Sequence, residues 1–155
     1  MRQPLSRLPL ANAVLSNNMA VLQYLGERGC SGAFTAAEEA AAAGHLDMLQ
    51  YIFETLEHPK RPLDIDRVAR NGHLHVLQYL AASHHNTVAH GAMKESAAKG
   101  HLAIVEFLAA TGMCSNSEGA LDAAATQGHL AVLHDASHGR RRHQWTRGRR
   151  RLPAR

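Results

Sequence analysis

The sequence predicts an all-α solenoid of about five stacked helix-turn-helix repeats, followed by a basic tail. A phrase centred on glycine recurs, as "AGHLDMLQYI" from residue 43, "NGHLHVLQYL" from 71, "KGHLAIVEFL" from 99 and "QGHLAVLHDA" from 127. Its glycines, Gly44, Gly72, Gly100 and Gly128, lie 28 residues apart each time. A fixed period of this length marks an array of supersecondary units that bury their apolar faces against one another. Apolar residues flank each glycine at helical rather than strand spacing.

The first copy, "NNMAVLQYL" from Asn17, puts Asn where glycine belongs, 27 residues before Gly44. Asn is the next most tolerant residue of a left-handed backbone position. Apolar or small residues stand seven, four and three positions before each centre: Leu10/Ala13/Val14, Ala37/Ala40/Ala41, Ile65/Val68/Ala69, Met93/Ser96/Ala97 and Leu121/Ala124/Ala125. This is the stripe of an amphipathic first helix, whose small residues let a neighbour approach closely. After the centre, Leu46/Leu49/Ile52, Leu74/Leu77/Leu80 and Leu102/Val105/Leu108, joined by Met48, Val76 and Ile104, predict a second helix of about three turns. A glycine just past the first helix fits the left-handed stop of a helix C-terminus, so each centre is the turn between antiparallel helices. The repeats fill residues 1–135, centred on Asn17, Gly44, Gly72, Gly100 and Gly128, and residues 136–155 form an arginine-rich tail expected to be disordered.

Charge divides the chain at the same place. The formal net charge of +4 averages residues 1–135, with 9 Lys+Arg against 13 Asp+Glu for a net of −4, and residues 136–155, with 8 Arg and no acid for +8. The folded part is therefore not a basic nucleic-acid binder. Two cysteines, Cys30 and Cys114, form no disulfide framework and no CxxC pair. They precede their glycines by fourteen residues, at positions held elsewhere by His58 and Asn86, and three repeats should separate them by about 30 Å, beyond a disulfide. No signal peptide and no membrane-spanning run is read, which points to an intracellular chain, cytoplasmic or nuclear.

At these residues the chain resembles the ankyrin repeat family. The family's phrase T-P-L-H-x-A-A-x-x-G-H-L is matched by "TAAEEAAAAGHL" at 35–46 in its Thr, its Ala pair and its GHL, and less fully by "GAMKESAAKGHL" at 91–102. The resemblance covers residues 9–135. It implies a solenoid that binds other proteins through outer positions of the first helices and the loops. Two departures stand out: the TPLH histidine is replaced by Glu38, Asp66, Lys94 and Asp122, and the period is shorter than the usual ~33 residues. The shortening predicts hairpin fingers reduced to tight loops. Leucine-rich repeats fit the period, but their strand phrase L-x-x-L-x-L is not the L-x-x-L-x-x-L found here.

Twelve histidines raise a metal reading, with His45, His73, His101 and His129 in one phase of the repeat. Packed helices are about 8–10 Å apart, whereas zinc-bound imidazole nitrogens each lie about 2.1 Å from the metal, so these four cannot converge. They are expected instead to cap the second helix by accepting from an orphan amide, and to be neutral and acid-sensitive because a helix N-terminus disfavours a cation. His84, His85, His90 and His75 lack metal-ligand spacing and read as solvated loop residues. No P-loop, HExxH, GxSxG or dinucleotide turn is present. No enzymatic activity, cofactor or metal is expected.

What remains is a monomeric protein-interaction scaffold. By the ankyrin resemblance, the partner-binding residues would be Glu38, Glu39, Asp66, Arg67, Arg70, Lys94, Glu95, Lys99 and Asp122, whose mixed charges suit a protein better than a phosphate backbone. Plain solvation competes for any single one. In the tail, Arg140, Arg141, Arg142, Arg147, Arg149, Arg150 and Arg151 could neutralise phosphates or direct nuclear import while Trp145 stacks on a base. A nuclear or nucleic-acid-associated adaptor is thus the alternative, with nucleic acid bound through the tail only. A plain disordered tail is the simpler account. A changed reading frame would also explain Asp135-Ala136 where earlier copies have Tyr51-Ile52, Tyr79-Leu80 and Phe107-Leu108.

Overall fold

Helices come in pairs around the first four turns read from the sequence in a computed structural model of the chain, which describes residues 9–56, 61–83, 87–113 and 119–129. The first repeat is α1 (Pro9–Leu15) and α2 (Met19–Glu27). The second is α3 (Ala33–Ala43) and α4 (Leu46–Tyr51), which runs on into a π-helical turn at Ile52–Leu56. Then follow α5 (Asp66–Arg70) with α6 (Leu74–Ala82), α7 (Ala92–Ala98) with α8 (Leu102–Thr111), and α9 (Ala120–Thr126). The first helices pack each on the next, α1 on α3, α3 on α5, α5 on α7 and α7 on α9, with the second helices behind them.

Every turn closes in the same way. His45 N–H donates to Ala40 O (2.9 Å) and Gly44 N–H to Ala41 O (3.2 Å). The same two bonds recur at Gly72, Gly100 and Gly128, and at Asn17, where Asn18 N–H reaches Ala13 O at 3.0 Å. This is the Schellman closure, which satisfies carbonyls the helix end would otherwise orphan. It needs a left-handed residue: φ is +80° at Gly44 and +86° at Gly72, and Asn17, at φ 50°, is the one non-glycine with positive φ among the described residues.

Small residues carry the packing between first helices. Ala36, Ala37, Ala40, Ala41, Ala69 and Ala97 are fully buried beside Leu10, Ile65 and Val68. Ser96, in the same stripe, is buried with its hydroxyl donated to Ala92 O at 2.7 Å, so it adds no unsatisfied group. Leu49, Leu77, Val105 and Leu108 fill the seam between the two layers. Ala125 is exposed although its counterpart Ala97 is buried, and among the described residues no element lies beyond it. The same end effect marks the first repeat. Val21 is 41% exposed where its counterparts Met48, Val76 and Ile104 are 4%, 0% and 2% exposed, because each of those is covered by the repeat before it.

The shortened inter-repeat segments are not plain loops. Two-residue strands β1 (Leu63–Asp64) and β2 (Thr87–Val88) pair in parallel, Leu63 opposite Thr87 and Asp64 opposite Val88, and Ile65 N–H donates to Val88 O at 3.0 Å. A pairing this small bonds one linker to the next rather than projecting a finger. No helix among the described residues is long and apolar enough to cross a membrane.

Leu77 is fully buried between the layers. Leu77→Ala is expected to destabilise the chain by about 2–5 kcal/mol in urea denaturation, as buried leucine truncations do. A loss under about 1 kcal/mol would place this residue outside the core.

Candidate functional site

The phased histidines are where structure and sequence reading part. His45, His73 and His101 each precede a second helix, but none of their side chains bonds an amide of that helix. The rings turn back across the seam. His101 Nε2 lies 3.1 Å from Arg70 O and His129 Nε2 lies 2.9 Å from Ala98 O. His73 makes the corresponding backbone bond to Ala42. A carbonyl can only accept, so Nε2 of His101 and of His129 carries the proton. The three carbonyls belong to the last turns of α3, α5 and α7, so the histidine caps the C-terminus of the preceding repeat's first helix rather than the N-terminus of its own second helix.

Glycine makes this possible. A Cβ on Gly44 would fall 2.5 Å from His73 Nδ1, one on Gly72 3.1 Å from His101 Cε1, and one on Gly100 2.7 Å from His129 Nδ1. Each ring therefore sits directly on a glycine backbone, in the space a side chain would fill. Two further bonds cross the same seam: Asn71 Nδ2 donates to Ala42 O at 2.7 Å, and His75 Nε2 to Gly44 O at 3.0 Å. The first junction differs because Asn17 brings a side chain. His45 makes no side-chain hydrogen bond among the described residues, and a cleft of ≈ 560 Å³ lies there, lined by Asn17, Met19, His45, Leu46, Asp47 and His75 among others.

On the outer side, most of the charges singled out from sequence bond one repeat to the next. Arg67 forms a two-pronged pair with Glu39 (2.9 and 3.0 Å), and Arg70 Nε donates to Glu95 at 2.9 Å. Arg67 beside Glu39, and Arg70 beside Glu95, hold those carboxyls below the usual carboxylate range. Glu38 is pushed up, first by burial and then by the carboxylates of Asp64 and Glu39. Asp66 Oδ2 accepts from Gly91 N–H at 2.8 Å, joining α5 to the start of α7, while its Oδ1 is buried with no partner. Lys94, Lys99 and Asp122 are exposed and in no ion pair among the described residues.

Residues 37–81, which span the second and third turns, match the family model for ankyrin repeats in many copies. Over these residues the chain is similar to the ankyrin repeat family. No curated protein matches it. Ankyrin repeats generally mediate protein–protein interaction, and the family is typically non-enzymatic. In the third repeat the position of the TPLH histidine is held by Asp66, which accepts from the backbone amide of Gly91 in the next repeat.

Among the described residues no three His, Cys, Asp or Glu side chains are grouped to hold a metal ion. Cys30 is a half-buried free thiol. His84, His85, Cys114 and the tail residues Arg140, Arg141, Arg142, Trp145, Arg147, Arg149, Arg150 and Arg151 lie outside the described residues. Sequence reasoning missed Asn71 and Asp64, whose carboxylate accepts from Asp66 N–H at 2.9 Å, and it read His75 as a solvated loop residue, whereas His75 stands in α6 and bonds Gly44 O across the seam. The only signal available was that Asn71 and His75 flank a phased Gly-His pair.

Gly44 and Gly128 share a left-handed backbone, but nothing lies within 4 Å of a Cβ on Gly128. Gly128→Ala is expected to cost only the left-handed strain of about 1–2 kcal/mol. Gly44→Ala should cost at least about 1 kcal/mol more, since it also displaces the His73 ring from its seat and its carbonyl. Equal losses for the two in chemical denaturation would remove the ring from the account.

Proposed function

We propose that the chain is a non-enzymatic scaffold that binds another protein through the outer positions of its first helices and the loops between repeats. The observation that supports this is the division of labour among the surface charges. Glu39, Arg67, Arg70 and Glu95 are used within the array, and Asp66 holds the next repeat. Lys94, Lys99 and Asp122 are exposed and enter no ion pair among the described residues, and Lys94 and Asp122 hold the same position in successive first helices. Free charges of both signs on a rigid edge complement a mixed protein surface and not the uniform negative charge of nucleic acid. The ion-paired residues then serve as spacers that fix the distance between the free ones.

The second reading, a nucleic-acid-associated or nuclear adaptor, is favoured by one fact alone, the eight arginines and no acid of residues 136–155. Deletion of that segment separates the two. In affinity capture, Lys94→Glu combined with Lys99→Glu is expected to lower recovery of bound protein by about tenfold or more, as like charges facing an interface do, with the melting temperature unchanged. Capture unaffected by the double reversal, but lost on removing residues 136–155, would transfer the function to the tail.

A further inference from the structure

We propose that the seam between the second and third repeats is an acid-labile hinge, closed by the neutral His73 ring on Gly44 and opened when that ring takes up a proton. The geometry makes the site particular. His73 Nδ1 is seated where a Cβ of Gly44 would be, and the ring is tied to the Ala42 backbone at the end of α3. The His75 ring stands edge-on at 5.9 Å between centroids. His73 also stands immediately before α6, whose N-terminus carries the positive end of the helix dipole. A cation formed there meets no carboxylate, only the backbone bond to Ala42 at the end of α3. The titratable groups that act on it are imidazoles on every side, His75 from α6, His45 from the preceding turn and His101 from the following one. Asp47 lines the neighbouring cleft with His45 and His75 and is not among the groups that shift His73.

Burial is the largest influence and the neighbouring imidazoles add to it, so His73 titrates below the ordinary 6.5 despite the carbonyl bond, which favours the cation. The open or unfolded chain therefore binds the proton more tightly than the closed seam. The stability that His73 lends is fully present above about pH 6.5 and is lost as pH falls below it. Because the Glu39–Arg67 pair and the Asn71 bond to Ala42 span this seam, opening it breaks the continuous outer edge into two parts. The consequence for binding, release of the partner at mild acid, rests on the scaffold reading. The hinge itself does not.

Amide hydrogen exchange on the full chain tests the hinge directly. Between about pH 7.5 and about pH 5.5, after correction for the intrinsic pH dependence of exchange, protection of the α4 and α6 amides should fall by up to about tenfold, the limit set by one histidine proton. His73→Gln should abolish that loss. Protection that is unchanged in the natural chain, or that falls equally in His73→Gln, overturns the proposal. If the variant does not fold, the ring's own titration by NMR decides. A midpoint below 6.5 that coincides with the loss of protection upholds the hinge, and a midpoint at or above 6.5 overturns it.

Discussion

An imidazole lying on a glycine backbone is the contact from which the rest of this array can be understood. The glycine meets two demands at once. Its left-handed φ closes the first helix, and its missing side chain leaves a seat for the next repeat's histidine. The first demand alone would cost another residue about 1–2 kcal/mol and is one that Asn can meet, as Asn17 does. The second bars a Cβ at Gly44 and Gly100 unless the ring moves, and crowds one at Gly72. At Asn17 the turn survives and the seat does not: His45 is left without the bond that His101 and His129 make, and a cleft opens. The two demands are thus separable within one chain. Their coincidence at Gly44, Gly72 and Gly100 also accounts for the constancy of the 28-residue period, since each histidine must reach a carbonyl 31 residues earlier.

Relative magnitudes assign roles to the other contacts. Fully buried Leu49, Leu77 and Leu80 supply most of the stability, about 2–5 kcal/mol each by truncation. The Glu39–Arg67 pair, with Arg67 55% exposed, is worth about 0.2–1 kcal/mol despite its two-pronged geometry. Such a pair does not hold an array together. It does select which residues face one another: Glu39, Arg67 and Glu95 occupy the same repeat position with alternating sign, so a slipped stack would oppose like charges. The β1–β2 pairing and the Asp66 bond to Gly91 tie the third repeat to the fourth beside the Arg70–Glu95 pair.

Much of this was legible in the sequence because a repeat samples each structural position several times. The buried stripes at Ala37/Ala40/Ala41 and Leu77/Leu80, the left-handed centres and the tolerance of Asn17 all follow from periodicity and backbone sterics. What was not legible depends on the offset between neighbouring repeats, which no periodicity encodes. Phase alone placed His73 at a turn and could not say whether its ring would serve the helix after it or the helix of the repeat before. The same ignorance hid Arg67 opposite Glu39, Asn71 beneath Ala42 and the two-residue strands. End effects were equally silent: Val21 and Ala125 satisfy the pattern and are exposed, with no described repeat lying beyond either.

The central claim is that the cost of filling Gly44 belongs to the His73 ring, and a double-mutant cycle of Gly44→Ala with His73→Ala in urea denaturation measures this. If the ring is what the Cβ displaces, Gly44→Ala becomes milder once the ring is gone, with a coupling of about 1 kcal/mol or more, as for residues in direct contact. Additivity within about 0.3 kcal/mol would mean that glycine and histidine act independently, and would contradict the account.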